Sequence, residues 1–132
     1  MVLTRGWGLT EVRNIPAPRR GDVYLLNFDP TLGAGIRKTR PGLVIQNDLS
    51  NRSSPVTIVA AISSQFSIPL HPTEVRLDSS EGGLTKASVV LCNQIRSVDR
   101  GRLIRRIGKI PAARMELVDS ALSISLGLRN PS

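Results

Sequence analysis

The sequence predicts an α+β domain that is mostly β: an antiparallel, barrel-like set of short strands followed by one C-terminal helix. Three observations carry this. The chain has 132 residues, the size of one domain. Its apolar residues fall in short runs punctuated by Gly, Pro, Asn and Asp. Only the C-terminal segment changes to a three- and four-residue period.

In chain order, residues 1–18 mix Gly, Pro and Arg without a period, and Pro16 and Pro18 close the segment. They read as an N-terminal extension, and the domain proper runs over residues 19–132. Asp22–Phe28 is a first strand, ended by Asp29-Pro30. A Gly-rich basic loop, Thr31–Arg40, follows. Pro41–Asn47 is a second strand, entered through a proline, which a first strand position tolerates. Asp48–Ser54 is a polar turn of about one helical turn. Val56–Ser63 is nearly all apolar and reads as a strand buried on both faces. Ser64–His71 is a loop. Thr73–Asp78 alternates as a half-exposed strand. Gly82-Gly83 marks a turn, Ala87–Cys92 another buried strand, and Leu103–Ile110 a last, basic one. From Pro111 to Leu128, residues Leu117, Val118, Ala121, Leu122, Ile124 and Leu128 form one helical stripe, with Pro111 suited to its first turn and Gly127 to its end.

Hydrophobic residues make up 40% of the chain but aromatics only 3%, so the core is built from Val, Ile, Leu and Ala. The net charge is +8 and the pI about 11.2, which points to a polyanionic partner such as nucleic acid. Arg far outnumbers Lys, and its planar fork matches phosphate oxygens. The one cysteine, Cys92, lies in an apolar run and reads as a buried core thiol. It excludes a disulfide within the chain and a Cys/His metal site. No apolar run approaches the roughly 18 residues of a membrane span, and residues 1–18 lack the apolar stretch of a signal peptide. These features predict a cytoplasmic protein.

Catalytic patterns are mostly missing. The ten acidic residues are scattered, with no DxD, ExxH or HExxH spacing, so no metal is expected. No GxSxG elbow or GxxxxGK[ST] loop is present. Gly33-Ala34-Gly35 leads into a proline and a strand, so no helix N-terminus stands ready for a pyrophosphate. RNA makes different demands, because it carries its own nucleophile. The 2′-hydroxyl can attack the adjacent phosphorus if a protein aligns it and neutralises the growing charge. A two-histidine acid–base pair is excluded, since His71 is the only histidine and sits in a loop. Arg stabilises phosphoryl charge well but is a poor base. Arg37, Lys38 and Arg40 put three cations within four residues beside flexible glycines. Such a cluster is equally a solvated basic loop or a phosphate site.

A larger pattern joins these pieces. Arg20-Gly21-Asp22-Val23-Tyr24, Asp29-Pro30-Thr31, Gly33, Lys38-Thr39-Arg40-Pro41 and Val44-Ile45-Gln46-Asn47-Asp48 with Asn51 form its first half. Thr57 to Ser64, Gly83-Leu84, Ser88, Gln94-Ile95-Arg96-Ser97-Val98-Asp99, Arg102-Leu103, Ala121-Leu122 and Gly127-Leu128 continue it. This order and spacing resembles the MazF/PemK toxins over about residues 19–128. The resemblance implies a small SH3-like, partly open antiparallel β-barrel with a C-terminal α-helix (the fold shared with CcdB-like proteins), usually a homodimer. It implies sequence-selective cleavage of single-stranded RNA, mainly mRNA, without metal or other cofactor, giving 2′,3′-cyclic phosphate and 5′-hydroxyl ends. It implies a cognate MazE-like antitoxin whose acidic, flexible tail occupies the RNA groove.

The family's two catalytic positions fall on Arg40 and Ser63. Arg40 would bind the scissile phosphate, and Ser63 would hydrogen-bond it and orient the 2′-hydroxyl. The structural alternative for Ser63 is a strand-end serine satisfying its own turn. RNA-binding positions fall on Gly33, Arg37, Lys38, Thr39, Gln46, Ser64, Gln94 and Arg96; for Gln94 the alternative is capping a strand end. With Trp7, Tyr24 and two Phe as the aromatic supply, phosphate and polar base-edge contacts are expected to dominate over stacking. One departure stands out. Many relatives carry Gly-Ser-Glu where this chain has Gly33-Ala34-Gly35, so the Glu position is Gly35 and any general base from it is missing. Two other functions stay open: a non-catalytic or decayed nucleic-acid binder, and a gyrase poison of the same fold, whose C-terminal Trp is absent here.

Overall fold

The computed structural model describes residues 16–28 and 39–131. Six strands are present among them: β1 (Asp22–Asn27), β2 (Thr39–Val44), β3 (Val56–Ser63), β4 (Glu74–Leu77), β5 (Ser88–Asp99) and β6 (Leu103–Lys109). Helix α1 covers Asp48–Ser53 and helix α2 covers Ala112–Ser125. Short 3-10 turns occupy Glu81–Gly83 and Arg100–Arg102. The strands form one antiparallel sheet in the order β4-β5-β3-β2-β1-β6.

The sheet is strongly coiled and packs on both faces. Strand alternation sends neighbouring residues to opposite sides. On β1, β2 and β3 the residues Val23, Leu43, Ala60 and Ile62 enter one core, together with Leu77, Val90 and Cys92. Val118 and Ala121 of α2 cover that core. Their neighbours Leu26, Val44 and Val59 enter a second, smaller core with Val98, flanked by Tyr24, Phe28 and Leu103. β5 serves both cores because its pairing with β3 shifts between Ala60 and Ala61, where the strand bulges and turns.

β4 and β6 are the two edges, and they do not pair. The gap between them is filled by the Glu81–Gly83 turn, which lies against β6. The approach is close enough to demand glycine. A Cβ on Gly83 would stand 1.9 Å from the Ile107 carbonyl oxygen, and one on Gly108 would stand 2.4 Å from the Gly82 carbonyl carbon. Gly82 and Gly83 also hold φ of +68° and +78°, a region costly for other residues. The barrel is thus partly open in hydrogen bonding but shut by backbone packing. Ion pairs then tie α2 across the first core: Arg114 to Asp78 (3.1 Å) and Glu81 (3.0 Å), and Arg20 to Asp119 (2.7 Å). The Asp78 amide and then Arg114 hold the Glu81 carboxyl below its ordinary range. These pairs lie at the surface with their partners partly exposed, where each contributes little, so they orient α2 more than they stabilise it.

The expected mostly-β architecture with a C-terminal helix is the observed one. Several boundaries differ. β2 begins at Thr39, ahead of Pro41, and ends at Val44. β5 runs on from Cys92 to Asp99, so Gln94 and Arg96 lie within a strand rather than after it. The polar run Asn93 to Ser97 hid this, because the bulge breaks the two-residue period. α2 starts at Ala112, with Pro111 as its extended cap, and stops at Ser125. Its stripe is narrower than expected: Val118 and Ala121 are buried and Leu122 packs beside them, while Leu117 and Leu128 are 51% and 73% exposed. The N-terminal extension lies outside the described residues except for Pro16–Pro18.

Two predictions follow from this packing. Gly83→Ala meets both a backbone clash and a left-handed φ, each costing on the order of 1–3 kcal/mol. Thermal unfolding should show the melting temperature lowered by roughly 7–22 °C; an unchanged value would refute the glycine closure. Cys92 is fully buried, and burial pushes its thiol up to about 12 from an ordinary 9.0. A folded pKa above the unfolded one means this contribution is complete below pH 9 and is lost as pH rises from there toward 12. Chemical denaturation between pH 8 and pH 11 should show a decline that Cys92→Ala, which has no thiol to ionise, shows less steeply.

Candidate nucleic-acid interface

The register of the central strands brings the two foremost candidate residues together. β2 pairs β3 with Gly42 opposite Ala61, Leu43 opposite Ala60 and Val44 opposite Val59. Arg40 and Ser63 lie two residues beyond the Gly42–Ala61 pair, and both line one cleft. Alternation sends Arg40, Gly42 and Val44 to one face, and Ser63, Ala61 and Val59 to that same face. Gly42 keeps this surface low. A Cβ there would lie 2.8 Å from Leu26 Cδ2 and 3.0 Å from Phe28 Cζ, so the Phe28 ring rests directly on the β2 backbone.

Arg40 is exposed and stands on the wall between two clefts. The first, about 390 Å3, is lined by Phe28, Arg40, Ala61, Asn93, Gln94, Ile95 and Arg96. The second, about 490 Å3, has Arg40, Ser63, Ser64, Gln65, Thr85 and Lys86 among its lining residues. Among the described residues, no carboxylate lines either. Arg40, Lys86 and Arg96 make no ion pair among the described residues, whereas arginines 20, 76, 106 and 114 each do. The acidic residues thus offset charge elsewhere and leave the clefts positive.

Individual groups are held firmly. Arg96 donates to the Phe28 carbonyl oxygen, and its guanidinium carbon lies 5.9 Å from the Phe28 ring centroid. These contacts fix one side of the fork and leave further N–H groups directed outward. Ser63 Oγ accepts from the Gln65 amide at 3.0 Å and donates to the Gln65 carbonyl at 3.2 Å. The strand-end serine therefore does satisfy its own turn. The longer, outgoing bond is the one an anion would replace, with the incoming bond keeping the oxygen in place.

The sequence candidates divide accordingly. Arg40, Ser63 and Ser64 share the second cleft, and Arg40, Gln94 and Arg96 share the first. Thr39 is exposed opposite Asn27 and lines neither cleft. Gln46 does not join them. It lies beyond the other end of β2, and its amide donates to Asn51 Oδ1 (2.9 Å) and the Val56 carbonyl (3.0 Å). Asn51, fully buried, also accepts from Thr57 Oγ1 at 2.7 Å, so Gln46 belongs to the polar knot anchoring α1 to β3. Gly33, Arg37, Lys38 and the Gly35 position lie outside the described residues. Phe28, Asn93, Thr85 and Lys86 line the clefts without having been singled out. Only fold closure brings them there; in the sequence each looks like an ordinary loop or strand residue. Among the described residues, no three His, Cys, Asp or Glu side chains gather as metal ligands, and no helix is long and apolar enough to cross a membrane.

Residues 19–126 match the family model described as PemK-like, MazF-like toxin of type II toxin–antitoxin system. Endoribonuclease EndoA of Bacillus subtilis is 44% identical over 83% of this chain and 95% of its own length. Endoribonuclease MazF of Staphylococcus epidermidis is 43% identical over 85% of this chain and 93% of its own. Among solved structures, a MazE–MazF crystal structure from Deinococcus radiodurans superposes with a TM-score of 0.73 at 28% identity, covering 86% of this chain and 99% of that one. The chain therefore belongs to the PemK-like, MazF-like toxins of type II toxin–antitoxin systems.

Proposed function

We propose that this protein is a toxin endoribonuclease that cuts single-stranded RNA, mainly mRNA, at selected sequences and so blocks translation. The observation that carries this reading is the position of Arg40: in one cleft with Ser63, and between two clefts that no carboxylate lines among the described residues. The names of the relatives support it, since EndoA and MazF are both endoribonucleases.

In this reading the scissile phosphate lies against Arg40. The RNA 2′-oxygen attacks phosphorus, the bond from phosphorus to the 5′-oxygen breaks, and a 2′,3′-cyclic phosphate remains. Arg40 holds the phosphoryl oxygens with a fork whose charge is in place before the reaction, so its stabilisation grows as negative charge builds there. Ser63 turns its hydroxyl from the Gln65 carbonyl to the same phosphate and helps set the in-line approach. The proton leaving the 2′-hydroxyl goes to solvent or an RNA group, and the 5′-oxygen gains one as it departs. No metal or cofactor enters this scheme, because the substrate supplies the nucleophile. Gln94 and Asn93 in the first cleft carry amides that pair with base edges, and Arg96 adds a cation there.

The antitoxin is read from the Deinococcus neighbour, which was solved as a MazE–MazF complex. An acidic segment of such a partner suits the same uncompensated cations and would compete with RNA. A homodimer acting in the cytoplasm completes this reading. One observation favours a second reading, a non-catalytic RNA binder: the Ser63 hydroxyl both donates and accepts within its own turn.

A digest of long single-stranded RNA separates the two. Wild-type protein should give discrete fragments sharing a short sequence at the cut, with 5′-hydroxyl ends, and EDTA should leave the rate unchanged. Arg40→Ala should lose about 100- to 1000-fold in rate at an unaltered melting temperature. Full activity in a folded Arg40→Ala protein would reject the site, and RNA retardation without cutting by wild type would select the binder. Ser63→Ala should cost about 10- to 100-fold, the value of a hydrogen bond to a charged group, and Ser63→Thr should keep activity.

A further inference from the structure

The second cleft holds a cation that the scheme above leaves unused. Lys86 lies on the segment between the Glu81–Gly83 turn and β5, and it lines the same cleft as Arg40 and Ser63. Its backbone is fixed from both sides. Leu84, two residues before it, is 8% exposed and sits in the main core. Ser88, two residues after it, is buried and donates Oγ–H to the Lys86 carbonyl at 2.9 Å. The turn that precedes the segment is wedged against β6 by Gly82, Gly83 and Gly108. The side chain itself is exposed and has no ion pair among the described residues. A solvated lysine needs no such mounting. Hydroxyl and amide groups of Ser64, Gln65 and Thr85 line the cleft along with the two cations.

We propose that Lys86 holds a second backbone phosphate of the RNA, one flanking the cut, so that the strand is clamped on both sides of the second cleft. The inference rests on the RNA reading given above and extends it. An ammonium is a compact point charge without the planar fork that reads bases, so this contact adds affinity and alignment but no sequence preference. The glycine closure of the barrel thereby acquires a functional consequence, since it sets where Lys86 stands.

The experiment is a binding titration with a fluorescent, fully 2′-O-methylated single-stranded RNA, which lacks the attacking hydroxyl and cannot be cut. Wild type, Lys86→Met, Lys86→Arg and Arg52→Met are compared over a series of salt concentrations. Arg52 on α1, at the opposite end of β3, removes the same charge away from the cleft. Each phosphate contact to a single strand contributes about 0.7 to the slope of log affinity against log salt. Lys86→Met should lower the slope by about that amount, equally for RNAs of different sequence, and Lys86→Arg should restore it. In cleavage, Lys86→Met should raise KM and leave kcat at saturation near the wild-type value, as loss of uniform binding does. A Lys86→Met slope equal to that of wild type or of Arg52→Met would overturn the proposal even if RNA is cut. If wild type cuts no RNA while the slope still falls in Lys86→Met alone, the endonuclease reading fails and the phosphate contact stands.

Discussion

The pairing register of β3 is the constraint on which the rest of the molecule depends. β3 lies between β2 and β5 and sends side chains into both cores, Ala60 and Ile62 to one and Val59 to the other. A strand packed on both faces has no polar side to slip toward. A one-residue shift would exchange every side chain between cores of different size and would turn Ser63 away from Arg40. The same packing that stabilises the sheet therefore sets the alignment of the two candidate catalytic residues. Asn51 secures the entry to β3: its buried side chain joins Gln46 and Thr57 and leaves no amide or hydroxyl of the knot unpaired.

Charge is distributed to match. The protein carries a net +8, yet the excess is not spread evenly. Asp22, Asp78, Glu81 and Asp119 are spent on arginines around β1, β4 and α2. The clefts keep Arg40, Arg96 and Lys86, with no carboxylate in their lining among the described residues. Unscreened like charges near one another cost stability in the free protein, and a polyanion relieves that cost on binding. An acidic antitoxin segment and an RNA strand would draw on the same source of affinity, which makes competition between them the natural mode of control.

Much of this was legible in the chain. β3, β1 and β6 announce themselves as short apolar or alternating runs, and α2 by its change of period. The charge pointed to a polyanion, and the spaced motif from Arg20 to Gly127 pointed to the family. What the chain hid has physical causes. β5 was cut short at Cys92 because a bulge breaks alternation, so Gln94 and Arg96 looked like loop residues. Leu117 and Leu128 fit a helical stripe, but only a narrow band of α2 meets the sheet. Gln46 sits within the family motif, yet its amide is consumed by Asn51 and Val56. Lys86 and Phe28 could not be assigned, because only the coiling of the sheet carries them to the clefts. Gly82 and Gly83 read as a turn; that they also shut the barrel against Gly108 is a long-range fact with no local signature.

Arg40 and Ser63 are proposed to act on one phosphate as a unit. A double-mutant cycle in single-turnover cleavage tests it most directly, using Arg40→Lys, Ser63→Ala and the pair. If both residues hold the same phosphate, losing the serine should cost far less once the arginine fork is gone, and the double variant should be little slower than Arg40→Lys alone. Rate losses that simply multiply would mean that the two residues act independently, and would contradict the account.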